Sequence, residues 1–379
     1  MDSPKLGTIE TIAILSLIMA NKIILNLPKD IISSTGSSAW LNTIYIIFLA
    51  LIFVLIITKL LCSFNGKDIL DISQYLGGKP LQYIIGTIHI LIFMAIILLI
   101  LKNFTTTLKT IYFEHSPIIF VMLFFIVAAS ISNKFGIKPI AKVTLFIFPL
   151  ATIGLIILLF SPASDFQIQR LTPIFGYGLD KTFIQGTMNI FALSGLGYIF
   201  FLPTLMDKNT NLRKIALFSL GISGFFLFLS TFCLLLVFSF IIDTNESMLL
   251  YVLTMFMRHG NLIHGINTLF VLVWILSIIA YISTTFSFAL FILKKTLNLK
   301  EIDSSNYCIC TIILGAAVLL QNFTDFGRSF EYIIQYIILA FVFVADPLLL
   351  LIANIKQKLS SSRSKQSILN RKECLWEKY

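Results

Sequence analysis

The sequence is short of charge. Asp, Glu, Lys and Arg make up only 12% of its 379 residues, against 58% hydrophobic residues, and mean hydropathy is +0.94. A chain with so little charge cannot cover a water-exposed surface, which excludes the two or three soluble domains that length alone would suggest. A disulfide framework is also missing: the five cysteines (Cys62, Cys233, Cys308, Cys310, Cys374) are odd in number and lie mostly in or near apolar runs. Cys308-x-Cys310 has neither the spacer nor the partner ligands of a zinc site. His259 and His264 are five apart, not the four that put two imidazoles on one helix face, and no carboxylate accompanies them. There is no G-x-S-x-G, no phosphate-binding loop and no pair of acids around a histidine. The reading is therefore a non-enzyme with no metal or other cofactor. No cleavable leader is expected, because Met1 to Leu6 is short and polar and no small-residue cleavage site follows.

Long apolar runs are abundant. Crossing a hydrocarbon core of ~30 Å takes about 20 apolar residues in a helix. Polar, Pro/Gly and Lys-rich breaks divide the chain into ten such segments, at about 8–32, 38–60, 80–104, 116–132, 139–160, 182–203, 212–242, 264–293, 307–322 and 330–355. The fold class is thus an all-α polytopic membrane protein, with residues 1–355 as one membrane domain. The stretch "NESMLLYVLTMFMRHG" (245–260) is too short to span and reads as a surface or vestibule helix. Residues 356–379 read as a basic, disordered tail that can touch anionic lipid.

Basic residues set the orientation. With ten spans both ends share a side, and 20 of the 28 Lys and Arg fall on that side against seven on the other, Lys22 lying within a span. Both termini are expected in the cytoplasm. The formal net charge of +10 then reflects topology, not nucleic-acid binding.

Two segments repeat one pattern. "MANKIILNLP" (Met19 to Pro28) and "SGLGYIFFLP" (Ser194 to Pro203) each carry a small residue, Ala20 or Gly195, eight positions before the proline of a Leu-Pro pair. Each sets polar or helix-poor residues inside an apolar run, and the two occupy corresponding positions of two five-span halves (8–160 and 182–355). Glycine within a helix costs roughly 1 kcal/mol relative to alanine. Unwound backbone in a membrane is tolerated only where it lines a protein cavity or meets a ligand. Paired interruptions of this kind point to a transporter-type binding site. The competing reading of Gly195 and Gly197 is a helix-packing seam, although their x1 spacing is not the x3 of such seams.

Other residues carry two readings each. At ~1.5 Å per residue, Lys22 lies roughly 20 Å along the first span. Its ammonium could face the cavity and pair with a ligand carboxylate, or snorkel to the outer interface. His89 could face the cavity or be bonded within the bundle. Trp274, Ser277 and Tyr281 share one face of the eighth span and line either the cavity or the packing core. Asp346-Pro347 reads as an acid facing the cytoplasmic interface, with pairing to Lys22 or another base as the alternative.

These residues also carry a resemblance. "LNLP" followed by Ala39-Trp40, "LTPIFGYGL" (Leu171 to Leu179), "FALSGLGYIFFLP" and "VLVWILSIIAYIS" around Trp274 occur in an order similar to that of the spore germination permeases. These are the B-type integral subunits of endospore nutrient receptors, within the amino acid/polyamine/organocation transporter superfamily. The resemblance covers about residues 8–355. It implies ten spans in two inverted five-helix repeats, with helices 1 and 6 broken around a central site. It implies a location in the inner membrane of the endospore, partners of the A and C type, and a small nutrient ligand such as an amino acid. Carried onto this sequence, the site would use Ala20, Asn21, Lys22 and Ile23, with Ser194, Gly195, Leu196, Gly197 and Tyr198. His89, Trp274, Ser277 and Tyr281 would add lining. Many members have a glycine-rich break where this chain has Asn21-Lys22, and a built-in cation there could replace sodium or change the ligand class. The alternatives are a free-standing amino acid transporter of the same superfamily and a scaffold whose cavity is plugged by Lys22.

Overall fold

The computed structural model describes residues 5–25, 27–113, 115–207, 209–238, 253, 266–299 and 303–360. The surface helix expected over 245–260 and the tail beyond residue 360 lie outside the described residues, apart from the single helical position Leu253. Within them the chain is almost entirely helical. Hydrocarbon offers no hydrogen-bond partners, so each apolar run must satisfy its own backbone, and a helix does so within one segment.

The helices are α1 (Thr8–Leu25), α2 (Leu27–Thr35), α3 (Ala39–Cys62), α4 (Ile69–Ile111), α5 (Ile118–Lys134), α6 (Ile137–Phe160), α7 (Leu202–Leu205), α8 (Leu212–Val237), α9 (Ile266–Leu297), α10 (Asp303–Asn322) and α11 (Thr324–Ala340). Between α6 and α7 run a π-turn, Asp180–Ile184, and a 16-residue 3-10 helix, Gln185–Phe200. A second π-turn, Phe341–Ala345, continues α11 into a helix over 346–360. Among the described residues, eight helical stretches are long and apolar enough to cross a membrane, and Ile118–Lys134 is a shorter apolar helix. The chain is an integral, multi-pass membrane protein. Where they are described, the ten expected segments fall on helix, to within a few residues at most ends. The end of 212–242 and the start of 264–293 lie outside the described residues.

Both expected breaks fall later than the sequence pattern suggests. α1 runs unbroken through Ala20, Asn21, Lys22 and Ile23 to Leu25, and the next helix opens at Leu27 with Pro28 in its first turn. The other segment winds through Ser194 to Gly197 as a 3-10 helix and stops at Phe200, after which α7 opens at Leu202 with Pro203. In both places the Leu-Pro pair sets the boundary. Proline lacks an N–H, so it fits only where a helix's first N–H groups have no partner in any case.

Helix α4 contains a sharp bend. Asp68 caps its start, accepting from the N–H groups of Leu70 (3.0 Å) and Asp71 (3.1 Å), while Asp71 Oδ2 accepts from the Asp68 N–H. Gly77 and Gly78 leave helical geometry, Gly78 at φ +70°, before Pro80 starts the long spanning part. Helix α9 packs on α4, α5 and α6, while α1 lies against α8, α6 and the 3-10 helix. An isolated backbone bridge ties the start of the chain to the end of α7: Leu6 N–H donates to Leu205 O and Asp207 N–H to Leu6 O, both at 3.0 Å.

At this end of the bundle, Lys295 of α9 reaches Asp68 Oδ2 (2.6 Å) and Asp71 Oδ2 (2.7 Å), and Thr204 Oγ1 donates to Asp68 Oδ2 (2.8 Å). One buried carboxylate thus joins α4, α7 and α9. Removing one partner of a buried ion pair strands the other, so Lys295→Met should cost about 3 kcal/mol of stability. Thermal unfolding in detergent measures it, and a loss under about 1 kcal/mol, the range of exposed pairs, would contradict the reading.

Candidate ligand site

The loop before the 3-10 helix shows what "LTPIFGYGL" is for. Gly176 has φ +51°, and a Cβ there would run into the backbone of Thr35 and Ser38. The Tyr177 N–H donates to Thr35 O (3.3 Å), and its ring lies on Gly36. Ser37 donates to Pro173 O (2.5 Å), and Ser38 and Thr182 share a hydrogen bond of 2.7 Å. The loop therefore docks on the corner between α2 and α3.

Asn42 extends this joint into the membrane. Its amide donates to Thr182 O (2.7 Å) and Gly186 O (3.0 Å), and its Oδ1 accepts from Asn189 (2.8 Å). Those two carbonyls flank the change from π to 3-10 winding, where the i→i−4 ladder fails. A side-chain amide supplies what hydrocarbon cannot. Runs of 3-10 helix longer than a few residues are uncommon and often mark a hinge.

A cavity of ≈190 Å³ opens between α1–α2, α4, the 3-10 helix, α9 and α11. On its wall Tyr281 is fully buried, Lys22, Phe191, Asn103 and Glu331 are half-buried, and Asp30 is exposed, which puts the mouth at Asp30. From the direction of α1 and α4, the mouth lies at the end opposite Lys5 and Lys295. Beyond its floor, Phe93, Tyr198, Phe201 and Phe288 interlock, with centroids 4.9 Å apart for Phe93–Tyr198 and 5.0 Å for Tyr198–Phe288. This aromatic layer stands between the cavity and the other side.

Lys22 donates to Ser194 Oγ, and its ammonium sits over the Phe191 ring, 4.7 Å from the centroid. No carboxylate of the described residues lies within ion-pairing distance of it. Among the described residues the Tyr281 hydroxyl is buried without a hydrogen-bond partner. Asn103 donates to Glu331 Oε1 (2.9 Å), which fixes that acid on the cavity wall.

Of the candidate residues, Lys22 and Tyr281 line the same cavity, and Ser194 meets it only through its hydrogen bond with Lys22. The others lie elsewhere. Asn21 and Ser277 satisfy each other: the Ser277 hydroxyl donates to Asn21 Oδ1 (2.8 Å), and Asn21 Nδ2 to Ser277 O (3.2 Å). Trp274 packs edge-on against Phe104 at 4.7 Å. Ala20 and Ile23 are buried in packing, as is Leu196. Tyr198 belongs to the aromatic layer and shares a hydrogen bond with Thr285 (2.8 Å). Gly195 and Gly197 are close-approach positions: a Cβ would come within 2.6 Å of Met19 Cγ and 2.7 Å of Val342 Cγ2 respectively. For this pair the packing seam is the better description. His89 does not reach the cavity. It pairs with Asp346 at 3.0 Å, and Asp346 is buried there, not facing the interface.

Sequence reasoning missed Phe191, Asp30, Asn103 and Glu331. Glu331 and Gln335 are i, i+4 on α11, which put them on one face of the helix, and Asp30 comes two residues after Pro28 of the Leu-Pro pair. Both signals were present but look like ordinary polar ends of spans.

The architecture is that of membrane transporters. A manganese transporter of Eremococcus coleocola, solved with an aromatic bis-isothiourea compound, matches with a TM-score of 0.59 at 13% identity, covering 91% of this chain and 76% of that one. Mhp1, a nucleobase-cation-symport-1 family transporter solved closed with bromovinylhydantoin bound, gives 0.55 at 13% identity over 85% and 72%. Two Bacillus subtilis (strain 168) proteins are similar in sequence. Spore germination protein B2 is 24% identical over 233 residues, 62% of this chain and 63% of that protein. Spore germination protein YndE is 24% identical over 215 residues, 56% and 58%. Each match spans less than two thirds of the relative's length. The family model for spore germination proteins, the spore permeases, matches residues 5–326, and the chain belongs to that family.

The docked loop gives a test. Gly176→Ala, forced into left-handed backbone against the Thr35 carbonyl, should destabilise by about 1–3 kcal/mol. Gly221→Ala, on an open helix face with nothing near its Cβ, should be neutral to slightly stabilising. Paired melting curves compare them, and equal effects would contradict the docking account.

Proposed function

We propose that this chain is the membrane subunit of a spore nutrient receptor and binds a small carboxylate-bearing germinant, an amino acid by preference, at Lys22. The observation that carries this reading is the Lys22 ammonium. It lies within the membrane part of the fold, it faces a cavity, and it has no acidic partner among the described residues. A charge in such a place is costly unless it is paired. A ligand carboxylate would supply the pair, with the Tyr281 hydroxyl on the same wall and the Ser194 hydroxyl already bonded to Lys22. Asp30 and Glu331, which also line the cavity, suit the ligand's ammonium end.

In this reading residues 1–355 form ten spans in two inverted five-helix repeats, 8–160 and 182–355. The two Leu-Pro boundaries in corresponding positions support it. The excess of basic residues on one side supports cytoplasmic termini. Membership in the spore germination family supports a place in the inner membrane of the endospore beside A- and C-type subunits. Ligand binding would favour one arrangement of the 3-10 helix and α1, and the partner subunits would read that shift. The transporter architecture favours a second reading, a free-standing amino acid transporter. Co-purification with A- and C-type subunits separates the two.

The test is thermal stabilisation across a panel of amino acids, sugars and nucleosides, on the protein alone and with its co-purified partners. A ligand at about 100 times its Kd adds roughly 2.7 kcal/mol of apparent stability. A shift with one carboxylate ligand, lost in Lys22→Ala, is the expected result. Equal shifts in wild type and Lys22→Ala would contradict the assignment.

A further inference from the structure

His89 on α4 and Asp346, just after the π-turn, form the one acid–base pair of the described residues that lies wholly inside the span region, and the ligand site does not use it. Both side chains are buried, at 4% and 1% exposure. The rings of Phe201 (5.1 Å) and Phe341 (6.0 Å) close over the imidazole. His89 Nδ1 is 2.9 Å from Ile85 O, and Nε2 is 3.0 Å from Asp346 Oδ2.

These two contacts fix the proton count. A carbonyl oxygen only accepts, so Nδ1 carries a hydrogen. A hydrogen bond between Nε2 and Oδ2 then needs one more, either on Nε2 as imidazolium facing carboxylate or on Oδ2 as carboxylic acid facing neutral imidazole. A neutral histidine beside an ionised aspartate has one proton too few for both bonds. Without that proton, Nε2 presents a lone pair to a carboxylate, or the ring changes tautomer and gives up Ile85. Either way a bond is lost and a net negative charge is left in the low-dielectric interior, where Asp346 Oδ1 has no partner among the described residues.

We infer that the His89–Asp346 pair is a proton-binding site, and that its bound proton ties α4 to the last helix at the π-turn. The tie sits at a natural hinge. Phe341–Ala345 is wound with i→i+5 bonds, Asp346 is the next residue and Pro347 follows. Val342, in the same turn, is the residue that Gly197 of the 3-10 helix packs against. Proton occupancy is thereby felt at the joint where α4, the last helix and the 3-10 helix meet. Ionisable residues inside membrane domains are functional by default, and proton relays are among their roles.

Other titratable groups near this joint have partners of their own. Lys295, Asp68 and Asp71 approach from α9 and the start of α4, through Thr296 packed on Gly86, but bond to one another. Tyr198 on the 3-10 helix bonds to Thr285. Lys356 of the last helix donates to Tyr75 O (3.2 Å) and Leu76 O (3.1 Å). Among the described residues, none lies within ion-pairing distance of the His89–Asp346 pair.

The experiment compares melting temperatures in nanodiscs from about pH 5 to about pH 8, the window in which histidine usually titrates. A bond that needs the proton stabilises the fold while the proton is bound and ceases to do so as pH rises. The wild type should therefore melt lower with rising pH. Asp346→Asn, whose amide donates to Nε2 at every pH, should keep the low-pH melting temperature and lose most of the fall. A parallel fall in wild type and Asp346→Asn would overturn the proposal. Should that variant fail to fold, 15N-histidine NMR on a chain whose only histidine is His89 (His115, His259 and His264 replaced by Gln) gives the same answer. A pH-dependent change at Nε2 is expected, and shifts constant across the window would overturn the inference.

Discussion

Hydrocarbon has no hydrogen-bond donors or acceptors, and that constraint governs the rest of this structure. It makes every span a helix, and it means each departure from α-helix must be repaid by a neighbouring protein group. The π to 3-10 change before Gly186 is satisfied by Asn42, and Asn21 of α1 is satisfied by Ser277 of α9. The longest irregular stretch, the 3-10 helix, borders the central cavity, where protein partners are available.

Charge is distributed by the same logic. Three charged groups lie at successive depths. Lys22 faces the cavity, His89 and Asp346 pair below the aromatic layer, and Lys295 bridges Asp68 and Asp71 at the far end. His89 and Asp346 compensate each other, and Lys295 is shared by two carboxylates. Lys22 is held only by a neutral hydroxyl and an aromatic face, which is a weak substitute for an anion. Under the proposed function, a ligand carboxylate would relieve that imbalance.

Much of the fold was legible in the sequence, because hydropathy and punctuation by Pro, Gly and Lys are direct consequences of the bilayer. The positions of the apolar helices came from those signals, whereas the breaks were expected some residues before the Leu-Pro pairs at which the structure places them. The site was less legible. Spacing could say that Trp274, Ser277 and Tyr281 share a face of α9, but a helix face is wide enough for Ser277 to bond α1 while Tyr281 meets the cavity. Gly195 and Gly197 suggested an opened backbone, whereas they are small because Met19 and Val342 press on them. Asp346 read as an interfacial acid because its partner, His89, lies 257 positions away, and no local pattern announces such a pair.

The central claim is that the cavity lined by Lys22 opens to one face of the membrane. Cysteine accessibility tests it most directly. In a background lacking the native exposed cysteines, Phe191→Cys should react with a membrane-impermeant maleimide applied from the side opposite the N-terminus. Phe146→Cys, on the exposed outer face of α6, should stay unreactive in the lipid. Labelling at position 191 from that face alone is the predicted result. Absence of labelling there, or equal labelling from both faces, would contradict the account.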